Sequence, residues 1–298
     1  MPAISVIIPT YGDPQLLNRT IQSVLSQTFH DFEVFVIDDN NPDSDARTNT
    51  EIVMNTFSDE RLHYLKHPHN LNGSAARNTG IAQATGKYIS FLDSDDEYNS
   101  ERLQKCFDAM EIADCSVAGV YTGCEFRRNG KVYHTMADVK PGNFLVDTLA
   151  CTFNLGTGSN LFIRKSVIDE INGFDDSFLR HQDYEFLVRI FEKYDLESVP
   201  EILVIKNNEN VNLPNVEKII DIKKQYLDKY KLIIQERTDS EKIYIYHNQY
   251  IQIAEAAQKT RKYKLANQYY KKAKNQGGLS IKEQLRRIAF WGQNLIRR

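Results

Sequence analysis

Short apolar runs alternate with amphipathic stretches over the first hundred residues. Ile4 to Ile8 is a β-branched run closed by Pro9, which predicts a buried strand. Asp13-Pro14 predicts a helix start, with Asp13 as N-cap and Pro14 at the first helical position. Leu17, Ile21, Val24 and Leu25 follow at helical spacing. Val34 to Ile37 predicts a second strand that stops at Asp38-Asp39, and a polar helical stretch then runs to about Phe57. Leu62 to Leu65 reads as a third strand, Asn72 to Ala84 as a helix, and Tyr88 to Leu92 as a fourth strand ending at Asp93. This alternation predicts a parallel sheet with helices on both faces. Such sheets take ligands at the carboxyl ends of their strands, where Asp39 and Asp93 both fall.

The pattern turns mixed after about Val117. Val117 to Phe126 and Lys131 to His134 flank Arg128-Asn129-Gly130, a hairpin signal. Asn160 to Ile163 predicts a strand with a helix after it to about Asn172, Gln182 to Lys193 a helix, and Ser198 to Ile205 a last strand. From Pro214 onward the chain reads as helix, with an αα-hairpin over Tyr244 to Lys259 and Tyr263 to Lys274 that is loosely similar to one tetratricopeptide unit. Gly277-Gly278 separates a final helix, Ile281 to Arg298. The expected division is a domain over 1–210, with halves 1–116 and 117–210, and a helical extension over 211–298.

The composition suits a chain that buries a sizeable core, and no apolar run approaches the ~20 residues that span a bilayer. No signal peptide is evident at the N-terminus, so the expected location is the cytoplasm. Cys106, Cys115, Cys124 and Cys151 form no CxxC pair and read as reduced thiols. The net charge of −3 is unevenly spread: 12 Lys and Arg against Glu283 give 259–298 a charge of +11, leaving −14 on the residues before it. The last helix interleaves Leu285, Ile288, Phe290, Trp291 and Leu295 with Lys282, Arg286, Arg287, Arg297 and Arg298. A basic amphipathic helix of this kind suits the surface of an anionic membrane. Packing on the body of the protein, or on a second copy in a homodimer, would use the same stripe. No nucleic-acid-reading motif accompanies the charge, so nucleic acid is not an expected partner.

The chemistry is acidic. Asp93, Asp95 and Asp96 follow an apolar strand. Mg²⁺ commonly uses one or two carboxylates plus substrate phosphates, and carboxylates beside a diphosphate need a cation between them. An acidic turn capping the helix near Ser100 is the other reading of these residues.

Five segments decide between the two: Val6-Ile7-Ile8-Pro9-Thr10-Tyr11, Val36-Ile37-Asp38-Asp39-Asn40, Gly73-Ser74-Ala75-Ala76-Arg77-Asn78-Thr79-Gly80, Phe91-Leu92-Asp93-Ser94-Asp95-Asp96 and Gln182-Asp183-Tyr184-Glu185. In their order and spacing they resemble the family 2 glycosyltransferases with the GT-A fold, over roughly residues 3–205. The fold class implied is α/β: a Rossmann-like mixed sheet flanked by helices, plus the helical extension. The resemblance implies that Pro9, Thr10 and Tyr11 edge a nucleotide pocket, and that Asp39 accepts a hydrogen bond from the base, usually uracil. Arg77 would contact nucleotide or diphosphate. Asp93 and Ser94 would lie on the donor, with Asp95 as the ligand of Mn²⁺ or Mg²⁺ and Asp93 as a second candidate. His181 is a further metal candidate, or else a structural histidine at a helix start. Asp183 would be the general base that deprotonates an acceptor hydroxyl; the family often has Glu-Asp where this chain has Gln182-Asp183. Turn, cap and solvated-helix roles remain open for Asp39, Arg77 and Asp183.

The implied function is an inverting, metal-dependent transfer of one sugar from a nucleotide donor, usually UDP-linked, to a glycan or lipid-linked glycan acceptor in surface-polysaccharide synthesis. Peripheral contact with the inner face of the cell membrane would fit that role. No Gln-x-x-Arg-Trp motif follows Asp183, which points away from a processive synthase. A silent sugar-nucleotide-binding or scaffold protein is the alternative. A nucleotidyltransferase would need a Gly-rich Lys/Arg loop near the start, which the chain lacks.

Overall fold

The computed structural model describes residues 1–207 and 215–286. Two compact units result: one comprises Met1–Asn143 with Asn154–Val211, the other Phe144–Phe153 with Asn212–Arg298.

The first unit opens with alternating strands and helices. These are β1 (Ile4–Thr10), α1 (Leu17–Leu25), β2 (Phe32–Asp38), α2 (Asp45–Met54), β3 (Leu62–Lys66), α3 (Gly73–Gln83) and β4 (Tyr88–Phe91). A short β5 (Glu97–Tyr98) and α4 (Arg102–Ile112) follow, then β6 (Val117–Arg128) and β7 (Lys131–Met136). After α5 (Leu145–Leu149), which belongs to the other unit, come β8 (Phe162–Arg164), α6 (Lys165–Glu170), α7 (Gln182–Phe191) and β9 (Asp195–Asn207). Among the described residues these strands form one nine-stranded sheet in the order β3-β2-β1-β4-β8-β6-β9-β5, with β7 paired to β6.

The four strands β3-β2-β1-β4 run parallel, as their nearly continuous apolar runs predict. β8 then runs antiparallel to β4, which makes the sheet mixed. Ile4, Val6, Ile7 and Ile8 of β1 are fully buried at its centre. α3 lies close against this strand because Gly80 has no side chain. A Cβ there would stand 2.5 Å from Ile7 Cγ2, inside any real contact. Asn72 caps α3, its Oδ1 accepting from Ser74 N and Ala75 N. The Asn129-Gly130 hairpin forms as predicted, both residues having positive φ.

Three local expectations are corrected. α1 starts at Leu17, and Asp13 does not cap it. Pro14 O instead accepts from Leu17 N in a preceding turn, while Asp13 Oδ2 accepts from Gln15 Nε2. Gly158–Asn160 is a 3₁₀ turn and the strand begins at Phe162, because Thr157 Oγ1 accepts from Ser159 N and tightens the chain. Residues 144–153 belong with the helical unit, although the sequence reading put them in the first domain.

The second unit contains α5, α8 (Val216–Lys229), α9 (Lys231–Gln235), α10 (Asp239–Lys259) and α11 (Tyr263–Gly277). α10 and α11 form the expected hairpin, with Ala254, Ala257, Ala266 and Ala273 all buried where the helices meet. Thr238 and Glu241 make a capping box at the start of α10. Segment 144–153 is held here by backbone acceptors: Tyr226 Oη donates to Thr148 O, and Gln249 Nε2 to Leu149 O. Among the described residues no helix is long and apolar enough to cross a membrane. The basic last helix is described only over 281–286; Arg287, Ile288, Phe290, Trp291, Leu295, Arg297 and Arg298 lie outside the described residues.

Candidate active site

The carboxyl ends of β1, β2 and β4 are built on two buried acidic centres. At the end of β2, Asp38 is fully buried and pairs with Arg47 Nε at 2.9 Å. Tyr64 Oη donates to the same carboxylate at 2.5 Å. Arg47 Nη2 also donates to Asn40 O and His67 O, so one guanidinium gathers the loops after β2 and β3. Asp39, next in the chain, is 2% exposed. Its Oδ1 lies 2.7 Å from His67 Nδ1 and accepts from Leu71 N, while Oδ2 accepts from Asn70 Nδ2 and Asn72 N.

Both Asp39 oxygens are therefore already engaged by the 67–72 loop, which runs into the cap of α3. Pro9, Thr10 and Tyr11 lie at the end of β1 and just past it. Thr10 O accepts from Asp39 N, and Tyr11 projects outward at 67% exposure.

The second centre is the loop after β4. Asp96 is fully buried and does not cap α4, whose N-cap is Glu101. Its Oδ2 accepts from Ser159 Oγ at 2.6 Å and Thr157 Oγ1 at 3.0 Å, and its Oδ1 from Asn207 N at 3.1 Å. Lys206 Nζ stands 3.8 Å away. Burial pushes the Asp96 pKa up to about 7, helped by the charges of Asp93 and Asp95 and opposed by Lys206. Thr20 Oγ1 donates to the carbonyls of Ser94 and Asp96, and Ser159 Oγ accepts from Asp93 N. The loop is thus held from three directions, and Asp93 and Asp95 are left on its open side.

Asp93 Oδ1 accepts from Arg77 Nη2 at 2.7 Å, while Arg77 Nη1 donates to Gln182 Oε1 at 2.9 Å. Burial opposes ionisation of Asp93, but the charges of Arg77 and Lys206 prevail and lower its pKa. Asp95 is exposed, yet the protein around it withdraws enough water, and Asp93 adds enough repulsion, to raise its pKa. Its carboxylate makes no hydrogen bond or ion pair with any described residue.

Asp183 stands in the first turn of α7 and is half-buried. Gly158 shows where it points. A methyl group built on Gly158 would touch Asp183 Oδ2 at 4.0 Å and Arg77 Nη2 at 3.9 Å. The Asp183 carboxylate and the Arg77 guanidinium, which pairs with Asp93, therefore both come up to Gly158. His181 precedes α7 in the left-handed conformation, with its ring edge-on to Tyr184. Glu185, four residues before Arg189, forms a two-pronged ion pair with it inside the fold.

All potential cation ligands at this site are hard oxygens. Among the described residues no group of three His, Cys, Asp or Glu side chains could hold a metal ion, and His181 completes no such group. The residues fit a divalent cation bound through Asp95, with Asp93 beside it, and completed by substrate phosphates rather than by a protein cage.

Sequence reasoning missed His67, Thr157, Ser159, Lys206 and Asn207. Thr157 and Ser159 lie in the loop before β8. The others carry no local signal.

With this geometry in place, comparison supplies the class. The sequence profile of Glycosyl transferase family 2 matches residues 5–171, and the chain belongs to that family. It is a glycosyltransferase with a GT-A-type fold. An uncharacterized glycosyltransferase of Methanocaldococcus jannaschii is 29% identical over 77% of this chain and 77% of its own length. The amylovoran biosynthesis glycosyltransferase AmsB of Erwinia amylovora is 28% identical over 63% of each chain. Among solved structures, S. aureus TarS 1–349 superposes with a TM-score of 0.56 at 16% identity, over 92% of this chain and 88% of that one, a likeness of fold.

The Asp39 network yields a prediction. Asp39→Asn replaces an acceptor by an N–H that would face donors, so urea denaturation should show a loss of about 1–3 kcal/mol. Unchanged stability with weakened nucleotide binding would instead make Asp39 a direct base ligand.

Proposed function

We propose that this protein is an inverting, non-processive glycosyltransferase that moves one sugar from a UDP-linked donor to a hydroxyl of a lipid-linked glycan during assembly of a bacterial surface polysaccharide. The observation that carries the reading is the approach of Asp183 and of Arg77, itself paired with Asp93, to the same residue, Gly158. Transfer with inversion needs a base on one side of the sugar and a held leaving group on the other. Asp183, a carboxylate without a protein partner among the described residues, is positioned to take the acceptor proton. Arg77 holds Asp93 and orients the donor side. A divalent cation bound at Asp95 would supply positive charge to the departing diphosphate.

The donor and acceptor classes draw on relatives. The TarS 1–349 structure has been solved with UDP and with UDP-GlcNAc. The Escherichia coli protein WfgD, 26% identical over 66% of this chain and 72% of its own, is a UDP-Glc:α-D-GlcNAc-diphosphoundecaprenol β-1,3-glucosyltransferase. A Campylobacter jejuni relative, 33% identical over 44% of this chain, acts on an undecaprenol-linked glycan.

An acceptor of that kind lies at a membrane, and peripheral membrane contact is part of the proposal. Ile281 and Leu285 sit one helical turn apart and are 78% and 60% exposed, with Lys282 between them. Apolar residues left in water beside cationic ones suit the headgroup region of an anionic bilayer.

Two outcomes are expected. Asp183→Asn should lower transfer by roughly 10²–10⁴-fold while leaving UDP-sugar binding, measured by thermal shift, intact. Full turnover in that variant would remove Asp183 as base, and binding without turnover in the wild type would mark a silent sugar-nucleotide-binding protein. Separately, the full chain should co-sediment with phosphatidylglycerol vesicles, less so in high salt and not after removal of residues 281–298. Equal sedimentation of the truncated chain would refute the membrane contact.

A further inference from the structure

Lys206 is the next-to-last residue of β9, at the edge of the acidic space. Its Nζ donates to Thr157 Oγ1 at 3.2 Å and lies 3.8 Å from Asp96 Oδ2, an ion-pair separation longer than a hydrogen bond. An ammonium carries three N–H donors. Thr157 takes one, and no other acceptor among the described residues is within hydrogen-bond distance. The side chain is 25% exposed.

Position and charge then narrow its role. Thr157 immediately precedes Gly158, the residue that Arg77 and Asp183 approach together. Asp96, Asp93, Asp95 and Asp183 all act on the Lys206 charge, and they outweigh the burial that opposes it. The site thus brings four carboxylates together with two cations. Arg77 has already committed donors to Asp93, Gln182 and Gly73 O. Lys206 keeps more of its hydrogen-bonding capacity for a ligand. A diphosphate entering so acidic a space requires positive charge turned toward it.

We propose that Lys206 is a ligand of the donor diphosphate, its ammonium directed at the β-phosphate that leaves with the nucleotide. This rests on reading the site as a nucleotide-sugar site. In the transfer, the bond between the sugar C1 and the β-phosphate oxygen breaks and its electron pair stays on that oxygen. The acceptor oxygen bonds to C1, and its proton passes to Asp183. Lys206 stabilises the charge that collects on the departing phosphate, and it does so with or without a divalent cation.

The test is calorimetric titration of the full chain with UDP and with UMP, both in EDTA. It compares wild type, Lys206→Met and Lys206→Arg, with circular dichroism to confirm folding. Lys206→Met should weaken UDP binding about tenfold or more and leave UMP binding nearly unchanged, and Lys206→Arg should recover part of the loss. UDP binding equal to wild type in Lys206→Met would overturn the proposal. So would equal losses for UDP and UMP, which would mean that Lys206 only holds the loop. A wild-type protein that binds UDP neither in EDTA nor with added Mn²⁺ would overturn the nucleotide-sugar reading itself, and one that binds it only with Mn²⁺ would overturn the cation-independent role of Lys206.

Discussion

Asp96 carries no solvent exposure, and its carboxylate accepts hydrogen bonds from Ser159, Thr157 and the Asn207 amide, with Lys206 close by. These partners come from the loop before β8 and from the end of β9, which lie far from Asp96 in sequence. A buried carboxylate tolerates loss of its partners poorly, because an uncompensated buried charge costs several kcal/mol. Each partner therefore constrains the others. The β4 loop held this way leaves Asp95 exposed and Asp93 paired with Arg77. A comparable knot at Asp38, Arg47, Asp39 and His67 fixes the loops after β2 and β3. The site's open groups are aimed by neighbours that are fully engaged.

This division explains what the sequence made legible. The strands and helices around the first sheet follow from apolar periodicity, and their chain order leads to the parallel half with its ligand-facing ends. The Asp93-Ser94-Asp95 and Gln182-Asp183 motifs were visible because carboxylates at strand and helix ends are unusual enough, in combination, to resemble one family. The approach of Asp183 and Arg77 to Gly158 was not visible, because it depends on the antiparallel β8 and on how the loop before it is drawn to Asp96. Lys206 escaped notice for the same reason: a lysine near a strand end has no local mark of importance. Asp39 shows the opposite effect. Its motif implied an acceptor for the base, and the fold also supplies that carboxylate with four contacts from the 67–72 loop, which its sequence does not announce. Segment 144–153 was assigned to the wrong unit because a helix of five residues carries too little periodicity to show which core it joins.

Charge is the site's governing property. Asp93, Asp95, Asp96 and Asp183 stand near one another, and the chain answers them with Arg77 and Lys206. That balance leaves the empty site acidic. In the proposed reading, that balance suits a donor that arrives with a cation.

The central claim is that the outward-facing groups set by Asp96 form the donor site. A crystal structure of the protein with UDP and Mn²⁺ tests it most directly. The account predicts the diphosphate between Asp95 and Lys206, within reach of Asp183, and the base along Pro9, Thr10 and Tyr11. UDP bound elsewhere, with the Asp93–Asp95 loop and Asp183 untouched, would contradict it.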